Sequence, residues 1–145
     1  MKSGNHKKGE GKMGRQAGVR IYCGHIDQVT ATIIFDDTAM REILKSREYQ
    51  WDSSKKLWYK NMCEFEKQGI ESDRRSKKEL SFLIENGFIV DLGYEYHEVA
   101  KKLVGIGIDL STMRARCWRC DELEMVIKAE EDYYVGKCSC GYTDI

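Results

Sequence analysis

Apolar and polar residues alternate from Gln28 to Phe35, with Val29, Ala31, Ile33 and Phe35 on one side and Thr30, Thr32 and Ile34 on the other. A period of two predicts a strand with one face buried and the other partly covered. Val19 to Cys23 predicts a shorter strand before it. The period then lengthens: Met40, Ile43 and Leu44 fall at helical spacing behind Asp36 and Asp37, two residues able to cap, so a helix ending near Arg47 is expected. Tyr49 to Trp51 and Leu57 to Lys60 are aromatic-rich runs around the polar stretch Asp52-Ser53-Ser54-Lys55-Lys56, the pattern of a two-strand hairpin. A helical stretch from Asn61 to about Gln68 and a loop over Gly69 to Arg75 are expected next. Ser76-Lys77-Lys78-Glu79 has the form of a capping box, Leu80, Leu83 and Ile84 make an apolar stripe, and Asn86-Gly87 supplies a stop. A helix starting at Ser76 follows from these signals, then a short strand over Phe88 to Asp91. Tyr96, Val99, Ala100 and Leu103 predict a last helix between about Tyr94 and Val104, closed by Gly105 and Gly107. The expected fold class is α+β: a small antiparallel sheet with three to four helices over 19–110, a basic disordered tail over 1–18, and a separate C-terminal unit over 111–145.

Length and charge narrow the function. With 145 residues the chain is too short for a motor ATPase, a kinase or a doubly wound dehydrogenase. The 24 basic and 24 acidic side chains cancel, but they are segregated into blocks: +5 over 1–20, −4 over 79–110, +3 over 111–120 and −5 over 121–145. A neutral total argues against a non-specific nucleic-acid coat, while basic blocks can still meet phosphate locally. No apolar run approaches the length of a membrane span, and the N-terminal charges precede no apolar stretch, so a cytoplasmic protein without a membrane partner is expected.

The cysteines carry the strongest signal. Cys117-Trp118-Arg119-Cys120, then 17 residues, then Cys138-Ser139-Cys140-Gly141 supply four thiols in two close pairs. Zinc takes four soft donors at tetrahedral corners, and a hairpin can bring two tight turns together so that each gives two thiolates. Leu123 to Ala129 and Tyr133 to Lys137 are the expected strands of that hairpin, with Glu130-Glu131-Asp132 as its turn. The arrangement resembles a zinc ribbon with one structural zinc ion, although the second pair has one intervening residue where two are usual. Four thiolates saturate the ion and leave no position for a reacting water. A redox dithiol at Cys117 and Cys120 is the rival reading, but no thioredoxin-like strand and helix flank it. Cys23 and Cys63 are expected to be half-buried packing residues.

Trp51, Trp58 and Tyr59 could stack on unpaired bases while Arg47, Lys55, Lys56 and Lys60 meet phosphates. Alternation puts Trp58 on the opposite strand face from Leu57 and Tyr59, so some of these rings belong to the core, and a packed aromatic core with surface lysines is the competing reading. Tyr49 and Tyr59 are the exposed stacking candidates. Arg74, Arg75, Lys77 and Lys78 form a second basic cluster at the expected helix start. Arg114, Arg116 and Arg119 form a third, joined by Trp118. Convergence of these clusters on one face would favour phosphate binding; scatter would mark solvated faces.

An aromatic followed by Asp, by Lys four residues after the Asp and by Trp six residues after it, behind a strand and an amphipathic helix, resembles the HARP domain of annealing helicases. Similar hairpins are seen in small phage and bacterial modules. Leu80, Leu83, Gly87 and Phe88 echo the family's closing helix and Gly-Phe, whereas Ser53 stands where the family commonly has proline. The resemblance covers about 19–92. It implies recognition of DNA junctions by a module whose motor is missing here, and it implies that Trp51 and Trp58 are core residues.

His97-Glu98 begins like a metalloprotease helix, but Lys101 replaces the second histidine, and no Ser or Cys has an evident His and acid partnership. No enzymatic activity is expected. The first expectation is a nucleic-acid-binding accessory protein of replication, recombination or transcription, with DNA favoured over RNA. The alternative is an adaptor that binds a polymerase or replication protein through the acidic Glu130, Glu131 and Asp132.

Overall fold

The computed structural model describes residues 14–63 and 70–144. They form an α+β structure with three α-helices, and the chain divides into two compact units after Phe88, where the sequence suggested a boundary near residue 110. No helix among the described residues is long and apolar enough to cross a membrane.

The first unit has a four-stranded antiparallel sheet in the order β3 (Gln50–Asp52), β4 (Leu57–Asn61), β2 (His25–Ile33) and β1 (Arg15–Tyr22). β1 (Arg15–Tyr22) and β2 (His25–Ile33) turn through Cys23 and Gly24, both at positive φ (51° and 81°), the conformation of a tight two-residue hairpin. β1 begins earlier than the expected Val19, and residues 15–18 are strand instead of tail; residues 1–13 of that expected tail lie outside the described residues. Arg15 anchors the start of β1 by donating to the Asp37 carboxylate and to the Asn86 carbonyl. Cys23 is exposed in its turn, not half-buried. The β1–β2 register shifts between Arg20 and Ile21, so the buried set of β2 changes from Ile26 to Val29 and Ala31 across an irregularity.

α1 (Thr38–Ser46) starts where expected: the Asp37 side chain accepts from the Met40 N–H, and Met40 and Leu44 are buried. β3 (Gln50–Asp52) and β4 (Leu57–Asn61) then form the hairpin, with Trp51 opposite Trp58. Asp52 holds the turn by accepting from the backbone of Ser54 and Lys55, and Lys56 closes it at φ 57°.

α2 (Ile70–Glu85) corrects two expectations. Ile70 to Arg75 is helix, not loop, and Ser76 lies in the middle of the helix, not at its cap. The expected helix from Asn61 does not start there, because Asn61 ends β4; residues 64–68 of it lie outside the described residues. The reason is tertiary. Ser72, Ser76, Glu79, Leu80 and Leu83 form one buried stripe, so small polar residues face inward and let the helix lie close to β2. Asp73 adds a tie by accepting from the Ile26 N–H and pairing with His25.

The second unit contains β5 (Ile89–Asp91) in parallel with β6 (Met113–Arg114), separated by α3 (His97–Gly105) and a 3-10 turn at Leu110–Thr112. Ala100 and Leu103 are the buried positions of α3. A three-stranded antiparallel sheet follows, β7 (Val126–Ala129), β8 (Tyr134–Lys137) and β9 (Thr143–Asp144). This ribbon and the preceding helix belong to one unit for visible reasons. The Leu92 N–H donates to Arg114, the Arg116 N–H donates to Gly93, the Arg116 guanidinium pairs with Asp91, and the Tyr94 and Trp118 rings lie 4.6 Å apart.

Candidate metal centre and nucleic-acid interface

Cys117 and Cys120 stand on the turn before β7, and Cys138 and Cys140 on the turn after β8. Pairing of β7 with β8 brings those turns side by side. All four Sγ atoms lie within 4.8 Å of one another, with Cys117 to Cys140 and Cys120 to Cys138 both at 3.6 Å. A tetrahedral ion with metal–sulfur bonds of about 2.3 Å sets its sulfurs about 3.8 Å apart. The four cysteines are therefore close enough to hold one metal ion. These two contacts join one turn to the other and are far longer than a disulfide bond of about 2.05 Å.

Each turn is built for its spacing. In the first, the Arg119 N–H points at the Cys117 sulfur at 3.4 Å, the Asp121 N–H donates to the Cys117 carbonyl, and Asp121 takes φ 64°. In the second, Gly141 at φ 102° donates to the Cys138 carbonyl, while the Cys138 N–H donates to Tyr142. That left-handed glycine tightens the chain enough for two cysteines with one residue between them to face the same point. Behind the ribbon Met125 crosses Gly136, where a Cβ would come within 2.8 Å of the methionine methyl.

The thiols conflict electrostatically when alone. Burial opposes ionisation of Cys117, but the backbone N–H groups of Cys120 and Arg119 and the neighbouring thiols bring it down to about 7. At Cys120 the Glu122 N–H favours the thiolate, yet burial and the other three thiols outweigh it and push the group up to about 12. One site ionises at its neighbours' expense; a bound cation would let all four ionise together.

In the first unit, two of the three basic clusters meet. Arg47 at the end of α1, Lys60 on β4, and Arg75 and Lys78 on α2 line a groove of about 510 Å³, together with Met62, Glu79 and Phe82. Glu79, 7% exposed, is its anchor. Its carboxylate accepts from Arg47 at 2.6 Å, Lys60 at 3.2 Å and the Tyr49 hydroxyl at 2.9 Å. Burial pushes the Glu79 pKa up, but these three donors overcome it and leave it below the ordinary value. Burial, and after it the same carboxylate, push the Tyr49 hydroxyl far above its usual range. The Arg47 guanidinium also lies 4.0 Å over the Phe82 ring.

Tyr49 is thus a core residue at 4% exposure, which corrects its assignment as an exposed stacking ring. Trp58 is buried, whereas Trp51 is half exposed, contrary to the expectation that both are core. Tyr59 points to the other sheet face and donates to Gln50. Lys55 and Lys56 are exposed in the hairpin turn and do not line the groove. Arg74 and Lys77 are exposed on α2, also outside its lining. In the third cluster Arg114 donates to the carbonyls of Ser111 and Met113 and Arg116 binds Asp91, while Arg119 and Trp118 are exposed. Glu130, Glu131 and Asp132 are exposed in the β7–β8 turn.

The role of Glu79 was hidden behind its apparent place in a capping box. Arg75, Lys78, Glu79 and Phe82 recur at helical intervals of three, one and three residues, a signal that becomes readable once the helix is extended back to Ile70. A scan against protein-family models, a search of curated proteins and a search of solved structures each find no match to this chain.

Proposed function

We propose that the protein is a nucleic-acid-binding accessory protein, acting in replication, recombination or transcription, whose first unit grips phosphates in the basic groove. The ribbon holds one structural zinc ion. The observation that carries the reading is the meeting of Arg47, Lys60, Arg75 and Lys78, from three separate elements, around a single carboxylate. Four cations against one anion leave an excess of positive charge suited to a phosphodiester chain. Resemblance of the hairpin to the HARP domain favours DNA. Zinc is favoured by the all-thiolate donor set and by four sulfurs that lie within 4.8 Å of one another.

Fluorescence anisotropy with labelled single-stranded, duplex and forked DNA and with RNA tests the groove. Replacing Arg75 and Lys78 together by Ala should weaken binding to every bound probe by roughly tenfold or more, since both are phosphate contacts. Binding to none of the probes in dilute buffer would sink the reading. Metal analysis of protein purified without chelator should find one zinc per chain.

A second reading, an adaptor for a basic protein surface, draws on the exposed acidic turn Glu130–Asp132 next to the half-exposed Tyr133. Neutralising the three acids should damage a protein complex and spare nucleic-acid affinity.

A further inference from the structure

Residues two apart on a strand share a face, so Lys60 and Trp58 lie on the same side of β4, and register places Trp51 with them. On that side Arg41 and Lys45, four apart on α1, join the two indoles to line a second groove of about 350 Å³. The two tryptophans play different parts. Trp58 is 7% exposed and Trp51 is 51% exposed; their ring centroids are 5.4 Å apart and the planes are tilted by 57°. Trp58 therefore steadies the edge of Trp51 without stacking a parallel ring over it.

Both cations pair with surface carboxylates. Arg41 donates to Asp36, whose side chain is 84% exposed, and Lys45 lies 3.4 Å from Glu42, whose side chain is 65% exposed. Solvated pairs of this kind contribute little and exchange readily for another anion. The groove thus offers a flat aromatic surface and two cations that can be redirected. A planar, anionic ligand matches both features.

We propose that this groove binds one unpaired nucleobase, stacked on Trp51, with an adjacent phosphate held by Arg41 and Lys45. The proposal rests on the nucleic-acid reading and sharpens it: the basic groove at Lys60 holds backbone of any form, while the Trp51 groove selects for single strands. Trp58 and Lys60 are separated by two residues of strand, about 7 Å, so one strand can occupy both grooves.

The test uses the full-length, metal-loaded protein and anisotropy with a short oligothymidylate, a duplex of equal length, and an oligonucleotide of equal length whose central sugars lack bases. Trp51→Ala should weaken oligothymidylate binding by about tenfold and leave the duplex within about twofold, the size expected for a lost base–aromatic stack. Native protein should show a similar loss on the abasic strand. Arg75→Ala with Lys78→Ala should weaken single strand and duplex alike. If Trp51→Ala alters neither probe or both equally, the base site is overturned and the nucleic-acid reading stands. If native protein binds no probe, both are overturned. Should Trp51→Ala fail to fold, as judged by circular dichroism, the abasic strand decides, and equal affinity for it and oligothymidylate overturns the proposal.

Discussion

In residues 14–88, Val29, Ala31, Leu44, Leu80 and Leu83 are wholly buried, and two helices supply much of that interior. In the C-terminal ribbon the buried apolar side chains are Leu123, Met125 and Ile127, and beside them stand four thiols. The first unit buries the larger set of apolar side chains, and the Glu79 carboxylate joins α1, β4 and α2. The ribbon buries fewer of its own and shares its unit with α3. Units of its size depend on a cross-link or a metal, whose binding free energy becomes folding free energy. The difference predicts a body that folds without metal and an end whose folding depends on it.

Metal removal should expose that contrast most strongly. Treatment with a chelator is expected to unfold the ribbon, with loss of amide-exchange protection over Val126–Ala129 and Tyr134–Lys137, while protection over β2 and α2 persists. Structural zinc sites carry apparent free energies on the order of 10 kcal/mol, so this is the largest effect. Retained protection in the ribbon of metal-free protein would erase the distinction. Leu83→Ala should act in the opposite unit, destabilising it by about 2–5 kcal/mol as seen in urea melts, with metal content unchanged. A smaller effect is expected from acid. The folded pKa of Glu79 lies below its ordinary value of 4.5, so its contribution is complete above that value and is lost as pH falls through the lower, folded one. Acid titration followed by circular dichroism should show the first unit weakening only below about pH 4.5. The ribbon should release metal at higher pH, because thiolates take up protons sooner than this carboxylate. Simultaneous loss of both would contradict the division.

The parts legible in the sequence were those encoded over a few neighbouring residues. Four cysteines in two close pairs, Asp37 as a cap, and the turn from Asp52 to Lys56 each depend on local chemistry, and each has its expected place. Features set by packing were not legible. Ser72 and Ser76 look like loop residues, yet they are buried because a small side chain is what a helix close to a sheet requires. Ser76 even leaves its hydroxyl without a hydrogen-bond partner among the described residues. Tyr49 reads as a surface aromatic until Glu79, thirty positions away, is known to receive its hydroxyl. Arg41 and Lys45 gain meaning only when α1 lies beside the tryptophans.

The Glu79 cluster also determines how many ions a bound strand would displace. Arg47 and Lys60 already have a counter-charge inside the protein, whereas Arg75 and Lys78 make no ion pair among the described residues. One carboxylate offsets only one of the four cations, so a polyanion entering the groove would release its condensed cations against a net charge of three. For a single strand the groove should then contribute a slope of about −2.1 to a plot of log affinity against log salt, three quarters of the roughly −2.8 that four unengaged cations would give. The internal carboxylate thus makes the groove less sensitive to ionic strength than its count of basic residues suggests.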